Sequence, residues 1–186
     1  MLKKEALAYI KQLKTQTYPW LSNKKLKEIE SLLLQTANDQ LDDRSSSLHL
    51  TASAFVFLEN AACFIDHPYL NRRLLPAGHV EKGEQLIQTA KREFEEETGF
   101  KTLSKAPVFL LDVNYHSIPA NPIKNEGAHH HIDFRFNLCM DTNRFQQGEL
   151  GLHLLRQEEA PEEFQPYFLL QDLNQAQLIL ASESHL

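Results

Sequence analysis

The length, composition and charge of the chain exclude several classes of protein. Its 186 residues suit one domain, or one domain with a short appendage, and are enough to bury a hydrophobic core. The net charge of −6 argues against a general binder of nucleic acids or anionic membranes, because such proteins usually present a basic surface. No segment has the uninterrupted apolar character of a signal peptide or a membrane span, so we expect a cytoplasmic protein.

The first elements along the chain are two predicted helices. Residues 3–14 and 23–36 carry apolar side chains at helical spacing, and Ser22 or Asn23 can cap the second helix. The following segment, 38–47, is polar and rich in turn-forming residues, which is typical of a linker.

This pattern predicts two regions. We expect residues 1–45 to form an N-terminal helical extension with its linker, and residues 46–186 to form the main domain. We expect the extension to pack on the main domain or on another subunit, as in a homodimer. A role in substrate selection is the alternative.

From residue 48 onwards the pattern favours strands. Two β-rich runs, "LHLTASAFVFL" and "AACFI", predict a hairpin, and "NRRLLPAGHVEKGE" predicts a loop. A helix over about 85–98 should end at Gly99. The later elements are a strand at "PVFLLDVNYHSI", a long turn at "IPANPIKNEG", a strand at "HHHIDFRFNLCM", and a last strand and closing helix at "PYFLLQDL" and "NQAQLILAS". Strands that alternate with helices predict a mixed-sheet α/β or α+β sandwich.

The two cysteines, Cys63 and Cys139, lie in apolar runs and have no CxxC spacing. Buried free cysteine behaves as a small hydrophobic residue, so we expect both to be reduced core residues.

The helix over about 85–98 ends in an unusual concentration of acid. On a helical projection Glu93, Glu96 and Glu97 fall within an arc of roughly 100°, while Glu95 faces away and should be solvated. Arg92 can orient one of these carboxylates but cannot neutralise three. A run of charge is usually a solvated helix face.

Two further residues favour a metal site instead. Gly78 and Glu84 lie in the loop that leads into the helix. A hard divalent cation such as Mg²⁺ prefers oxygen ligands and would remove the repulsion among the glutamates. It would also supply charge neutralisation and an activated water for cleavage of a phosphoanhydride.

The stretch from 78 to 100 resembles the Nudix box, whose pattern is Gly, five residues, Glu, seven residues, then Arg-Glu-hydrophobic-any-Glu-Glu-any-Gly-hydrophobic. The matching residues are Gly78, Glu84, Arg92, Glu93, Phe94, Glu96, Glu97, Gly99 and Phe100. The resemblance implies a mixed-sheet α/β/α sandwich from about residue 48 to the end. It also implies Mg²⁺- or Mn²⁺-dependent hydrolysis of a nucleoside diphosphate linked to another group, for example a dinucleoside polyphosphate, with a small nucleotide as substrate.

The resemblance also implies roles for individual residues. Glu93, Glu96 and Glu97 would bind the metals together with the Gly78 carbonyl, Arg92 would orient a carboxylate, and Glu84 would support the site. Our choice of general base is Glu93. An acid from outside the box is also expected, and the candidates are Glu126, Glu149, Glu158, Glu159, Glu162 and Glu163. A non-catalytic nucleotide-binding module of the same fold is the alternative, because a fold alone does not establish catalysis.

A second group of polar residues follows the predicted strand "HHHIDFRFNLCM". His129, His131, Asp133 and Arg135 share one strand face, and His116 lies on the preceding strand. Three interpretations stay open: the residues line the substrate cleft, they form a polar face with satisfied hydrogen bonds, or they bind a separate transition metal such as Zn²⁺.

Four more residues are candidates for substrate binding. Arg72, Arg73 and His79 form a basic group around the start of the box, and an arginine can bind a phosphate bidentately. A solvated loop is the alternative for the arginines. Tyr115 lies near where dinucleoside-polyphosphate hydrolases tend to carry a tyrosine, although a core tyrosine on a strand explains it equally well.

Overall fold

A computed structural model of the chain describes residues 1–68, 71–120 and 127–171. The helices are α1 (Leu2–Leu13), α2 (Asn23–Gln35) and α3 (Leu86–Thr98), with short 3-10 helices at Asn38–Gln40 and Gln165–Leu170. The strands are β1 (Leu48–Leu58), β2 (Ala61–His67), β3 (Arg72–Leu74), β4 (Ala77–His79), β5 (Phe100–Thr102), β6 (Phe109–Ile118), β7 (His129–Leu138), β8 (Met140–Phe145) and β9 (Leu152–Leu155). Over these described ranges, every helix is too short or too polar to cross a membrane.

Most strands belong to one sheet. Its main path runs β3-β2-β1-β7-β6, with β4 paired to β1 and β9 paired to β2, while β5 and β8 form a separate pair. The predicted hairpin is confirmed, since Phe57 lies opposite Ala62 in an antiparallel β1–β2 pair. The α/β class with helices at the N-terminus is confirmed as well.

The chain forms two compact units. Unit 1 comprises residues 1–53, 77–90 and the described parts of 110–135. Unit 2 comprises residues 91–109 and the described parts of 54–76 and 136–171.

The two N-terminal helices belong to unit 1. The Ser22 hydroxyl caps α2 by accepting from the Lys25 N–H at 3.4 Å, as the sequence predicts for one of two candidate caps. The Trp20 indole N–H donates to the Leu111 carbonyl at 2.9 Å, so the segment between the helices is fixed to β6. The ring of Tyr9 lies 6.2 Å from that of Phe134 on β7. The helices therefore pack on strands of the sheet, whereas a domain boundary at residue 45 stays a prediction.

Unit 2 has an aromatic core around Phe55. Its ring makes edge contacts with Phe57 at 5.0 Å, Tyr167 at 5.4 Å and Phe168 at 5.6 Å. Such geometry suits aromatic quadrupoles. Both cysteines are free and buried, and burial raises the pKa of the Cys63 thiol to about 12, which confirms the prediction of reduced core cysteines.

Two predicted elements were wrong. The loop "NRRLLPAGHVEKGE" contains strands β3 and β4, because β4 pairs with β1 and places Gly78 opposite Ala52. The start of "PYFLLQDL" is a 3-10 helix, not a strand. Pro166 explains this, since its fixed φ suits the first turn of a helix and it cannot donate in a sheet. The end of that segment and the closing helix at "NQAQLILAS" lie outside the described residues.

Candidate active site

The loop before α3 is fixed to the first turn of the helix by Glu84. Its carboxylate accepts from the Glu81 N–H at 3.1 Å and from the Thr89 hydroxyl at 2.7 Å. A second carboxylate, that of Glu5 on α1, accepts from the Leu86 N–H at 3.1 Å and so caps an open donor at the start of the helix. Burial, the larger effect, raises the pKa of Glu5, and the hydrogen bond partly opposes it. Glu84 thus holds the loop in place against the helix. The contact of Glu5 with the helix start could not be predicted from the sequence around either residue.

The second half of α3 lies in unit 2 and carries an arginine between two carboxylates. Arg92 Nη1 lies 2.6 Å from Glu93 Oε1 and 3.2 Å from Glu96 Oε2. The Glu93 side chain is 13% exposed and that of Glu96 is 49% exposed. One guanidinium therefore fixes a nearly buried carboxylate and a half-exposed one on the same helix face.

Glu95 was expected to be solvated, and this was wrong. Its carboxylate accepts from Lys101 Nζ at 2.8 Å, and from the backbone N–H and hydroxyl of Thr102 at 2.9 Å and 2.7 Å. Burial acts to raise the pKa of Glu95, but these hydrogen bonds together outweigh it and the pKa is lowered. Glu95 therefore anchors β5 to the helix, whereas the Glu96 carboxylate contacts Arg92.

The C-terminal end of α3 is closed by the segment 146–150. Gly99, at φ +79°, ends the helix as predicted, and its carbonyl accepts from the Gln146 N–H at 2.8 Å. The Glu149 N–H donates to the Glu96 carbonyl and the Leu150 N–H to the Glu97 carbonyl, both at 3.0 Å. These bonds satisfy carbonyl groups that a helix end leaves open.

A shallow cavity of about 430 Å³ lies beside this helix end. Its lining combines opposite charges: Arg92, Glu95, Glu96, Gly99, Lys101, Gln146, Gln147 and Glu149. Among the acids proposed from outside the box, Glu149 is thus brought beside Glu96. Glu126 lies outside the described residues.

The other predicted substrate residues are dispersed. In unit 2, exposed Arg72 lies 3.8 Å from Glu163 and Arg73 lies 3.4 Å from Asp66. In unit 1, Tyr115 is 42% exposed and its ring stacks 4.9 Å from His130, so it is a surface residue and not a core tyrosine.

The polar face of β7 divides into two groups. In the first, buried Asp133 accepts from the hydroxyls of Thr51 at 3.0 Å and Ser53 at 2.8 Å. Arg135 lies 3.3 Å from the same carboxylate and its Nη2 lies 3.4 Å from His116 Nε2. This group is a polar network with satisfied hydrogen bonds inside unit 1.

The second group is a cluster of four histidines, His49, His79, His129 and His131, whose ring nitrogens lie within 4.8 Å of one another. Burial, with further effects from His79 and His49, lowers the pKa of His131 to about 2, and burial also lowers the pKa of His49. His131 and His49 are therefore neutral at pH 7. The sequence indicated His129 and His131 together and His79 separately. It missed His49, whose only signal is the alternation with Thr51 and Ser53 on β1.

Comparison with known proteins defines the class of this protein. The NUDIX domain model matches residues 47–184, so the chain belongs to the NUDIX family. It is a Nudix hydrolase, an enzyme that acts on phosphoanhydride bonds. This result argues against the alternative of a non-catalytic module.

One relative and two solved structures illustrate which proteins this chain is similar to. A protein of Lactococcus lactis subsp. cremoris (strain MG1363), named "Probable DHNTP pyrophosphohydrolase", is 48% identical over 137 residues, which are 73% of this chain and 81% of the relative. The solved structure of the E. coli dihydroneopterin triphosphate pyrophosphohydrolase matches with a TM-score of 0.51 at 13% identity, over 66% of this chain and 92% of that one. A NUDIX hydrolase from Clostridium perfringens matches with a TM-score of 0.49 at 20% identity, over 70% and 98%. The E. coli structure supports the fold alone.

Nudix enzymes generally use divalent metal ions, and the donors on α3 fit such an ion. Glu93, Glu96 and Glu97 occupy adjacent positions in the last two turns of the helix. Carboxylate oxygens are the ligands that hard divalent cations prefer. The half-exposed Glu96 side chain beside the cavity leaves this donor set open to solvent. Gly78, in β4, is half-buried, and the role of its carbonyl stays a prediction.

Proposed function

We propose that this chain is a metal-dependent pyrophosphohydrolase that cleaves dihydroneopterin triphosphate between its first and second phosphates. Water adds to the phosphorus attached to the pterin side chain, and pyrophosphate leaves, so that the products are the monophosphate, pyrophosphate and a proton. The observation that carries the substrate assignment is the 48% identity to the Lactococcus lactis relative over 73% of this chain. Its printed name gives pyrophosphohydrolase as the activity.

The residues of α3 support the hydrolytic chemistry. We assign Glu93, Glu96 and Glu97 as ligands of Mg²⁺ or Mn²⁺. Such an ion, when bound, supplies charge neutralisation and activation of water. Arg92 holds Glu93 in one orientation at 2.6 Å, and Glu93 is our candidate for the carboxylate that takes the proton from the attacking water.

The cavity beside α3 supports binding of a phosphorylated substrate. A triphosphate is strongly anionic, whereas the whole chain has a net charge of −6. Binding therefore requires local cations. Arg92 and Lys101 line the cavity with the amides of Gln146 and Gln147, but so do three carboxylates, so a bound divalent cation would be needed to complete the charge balance. Glu149 is our candidate for the acid from outside the box, because it lines the same cavity as Glu96.

The experiment that tests this proposal measures pyrophosphate release. Dihydroneopterin triphosphate, a dinucleoside polyphosphate, ADP-ribose and the (d)NTPs are each incubated with Mg²⁺, with Mn²⁺ or with EDTA. We expect the highest kcat/KM for dihydroneopterin triphosphate, with pyrophosphate as product and no turnover in EDTA.

Two variants separate the chemistry from the substrate assignment. Glu97→Gln should lower kcat by at least about 100-fold, because even outer partners of metal ligands cost 10- to 100-fold. Glu95→Gln, one helix position from Glu96, removes the same charge and should retain kcat; because Glu95 holds the cavity-lining Lys101 at 2.8 Å, its effect should fall on KM. Faster cleavage of a dinucleoside polyphosphate would overturn the substrate but keep the hydrolase. Full activity of Glu97→Gln would overturn the assignment of the metal ligands.

A further inference from the structure

We propose that His49, His79, His129 and His131 form a second metal site, which binds a divalent transition-metal ion such as Zn²⁺ through four imidazole nitrogens. The ligands of this site are imidazoles, and none of them is among the carboxylates of α3. The proposal does not depend on the identity of the substrate.

The sheet of unit 1 brings the four side chains together. His79 on β4 lies at the register position opposite Thr51, two residues from His49 on β1. His129 and His131 lie two residues apart on β7, which neighbours β1 on its other side. Three adjacent strands thus present four rings whose ligand atoms are within 4.8 Å of one another.

Backbone contacts orient two of these rings so that a nitrogen lone pair points into the cluster. His49 Nδ1 lies 3.2 Å from the Ser46 carbonyl and His129 Nδ1 lies 2.8 Å from the Gly127 carbonyl. A carbonyl only accepts, so each Nδ1 carries the proton and each Nε2 carries a lone pair. Metal-binding histidines are usually held in this way, with the second ring nitrogen donating to a carbonyl or carboxylate.

One of these Nε2 atoms, that of His49, lacks a partner within the described part of the chain, while that of His129 has another imidazole nitrogen as its neighbour. His49 is 1% exposed, and its Nε2 is buried with no hydrogen-bond partner among the described residues. His129 Nε2 lies 3.0 Å from His131 Nε2. A buried acceptor without a donor loses its hydration without compensation, which is uncommon in folded proteins. A cation at the centre of the cluster provides that partner.

The other polar group on β7, around Asp133, differs from the histidine cluster in its hydrogen bonding. Asp133 and Arg135 pair with each other, and the Asp133 carboxylate accepts from two hydroxyls. That arrangement is complete without a ligand, whereas the histidine cluster contains the buried His49 Nε2, which has no hydrogen-bond partner in the ranges that the structure describes.

The donor set selects the class of metal. Imidazole suits Zn²⁺, Ni²⁺ and Cu²⁺, while Mg²⁺ prefers oxygen ligands and retains waters. Zn²⁺–N distances of about 2.0–2.1 Å put tetrahedral ligand atoms about 3.3 Å apart, so small rotations of the rings would close the site. Four protein ligands leave no open position for a reacting water. We therefore infer a site that links β1, β4 and β7 and stabilises unit 1.

The test loads EDTA-treated full-length protein with Zn²⁺ alone, removes unbound ion by gel filtration, and measures zinc per chain. The variants are His131→Gln and the double variant His129→Ala/His131→Ala. The matched control is His130→Gln, since His130 lies between the two ligands but stacks on Tyr115. Glu97→Gln tests the carboxylate site. We expect one zinc per chain in wild type, His130→Gln and Glu97→Gln, and at least tenfold less in both cluster variants.

Two further readouts do not require enzyme activity. Zinc should raise the Tm of wild type and His130→Gln but not of the cluster variants, because only a ligand that binds the native state stabilises it. X-ray absorption should show a shell of nitrogen atoms at about 2.0–2.1 Å. If the cluster variants do not fold, His79→Gln on the short strand β4 replaces them.

Three results would overturn the proposal. In the first, the wild-type protein retains no zinc. In the second, the cluster variants retain as much zinc as wild type. In the third, Glu97→Gln loses its zinc. Because hydrolysis is assayed separately with Mg²⁺ on zinc-free protein, failure of either proposal leaves the other intact.

Discussion

Glu95 and Glu96 are adjacent in the sequence, but their carboxylates have different surroundings. Glu95 is 23% exposed and bound to Lys101, whereas Glu96 is 49% exposed and contacts Arg92. A conservative change at each residue should therefore have a different effect. We expect Glu95→Gln to lower the free energy of unfolding by about 1–2 kcal/mol, the range for hydrogen bonds to a charged group after allowance for partial exposure. We expect Glu96→Gln to leave stability within about 0.5 kcal/mol and to lower kcat strongly.

Urea unfolding and single-turnover kinetics on the same two preparations check this pair of outcomes. Comparable loss of kcat in Glu95→Gln without a change in stability would show that Glu95 belongs to the reacting group. The contrast is useful because both variants remove one charge from the same helix.

The lowered pKa of Glu95 predicts how its contribution depends on pH. Its pKa in the folded chain is below the ordinary value of 4.5, because the hydrogen bonds from Lys101 and Thr102 outweigh burial. The unfolded chain therefore binds a proton first as the pH falls, and the stability from Glu95 is lost as the pH falls through the folded pKa. The difference in unfolding free energy between wild type and Glu95→Gln should be constant from pH 7 to pH 6 and shrink in acid. A difference that grows in acid would contradict the assignment.

Residue-level prediction placed side chains correctly where a fixed spacing lies within one helix, as for Arg92 beside Glu96. The acidic residues of α3 and their arginine follow from helical geometry alone. It failed where partners come from elsewhere in the chain. Glu95 bonds to residues beyond the turn at Gly99, and His49 joins His129 only because β1 and β7 are neighbours in the sheet. No local pattern specifies that adjacency.

At the level of elements, the glycine that ends α3, Gly99, has much less space around its Cα than Gly83 in the loop before the helix. Gly99 and Gly83 both have positive φ, at +79° and +85°. A Cβ at Gly83 meets nothing within 4 Å, whereas a Cβ at Gly99 would collide with the Gln146 carbonyl oxygen. We expect Gly83→Ala to cost about 1 kcal/mol, from backbone strain alone. Gly99→Ala should cost at least about 3 kcal/mol, because the collision adds to the strain.

Thermal and urea unfolding of the two variants measure this difference. Equal costs would mean that the segment 146–150 moves away from the helix end without penalty. Gly99→Ala should also lower activity, because hydrogen bonds from this segment hold Glu149 and Glu96 in place. Gly83→Ala should change stability only.

The long elements were predicted well because their periodicity is strong. Helices α1, α2 and α3 and the β1–β2 hairpin all have clear apolar spacing. Strands β3 and β4 are only three residues long and consist of polar or small residues, so their sequence resembles a loop. They form because residues 65–67 of β2 and 51–53 of β1 provide backbone partners, which is a property of the sheet and not of the segment.

For the whole molecule, the main question is whether the N-terminal helices are an extension or a part of the fold. The side chains they bury are almost completely inaccessible, among them Ile10, Leu13, Leu26 and Leu33, each at most 1% exposed. Lys25 on α2 also lies 2.6 Å from Asp112 on β6. These contacts indicate that the helices stabilise unit 1, beyond the residues that the family model covers.

Two lysines of these helices test this inference. Lys25 contacts Asp112, whose side chain is 4% exposed, while Lys14 contacts Glu30 at 2.6 Å with both side chains about one third exposed. Lys25→Ala removes the cation from a buried carboxylate and should cost about 2 kcal/mol, moderated by the N–H of Val113 that also donates to it. Lys14→Ala should cost at most about 0.5–1 kcal/mol, as for other pairs near the surface.

Trp20 provides the measurement, because it is the single tryptophan of the chain and its indole donates to the Leu111 carbonyl on β6. Urea unfolding followed by its fluorescence reports directly on the contact between the helices and the sheet. If the helices are part of the fold, fluorescence and far-UV circular dichroism should give one coincident transition in wild type, shifted to lower urea in Lys25→Ala. If fluorescence changes at lower urea than circular dichroism, the helices detach before the sheet unfolds, and the boundary near residue 45 is a true domain boundary.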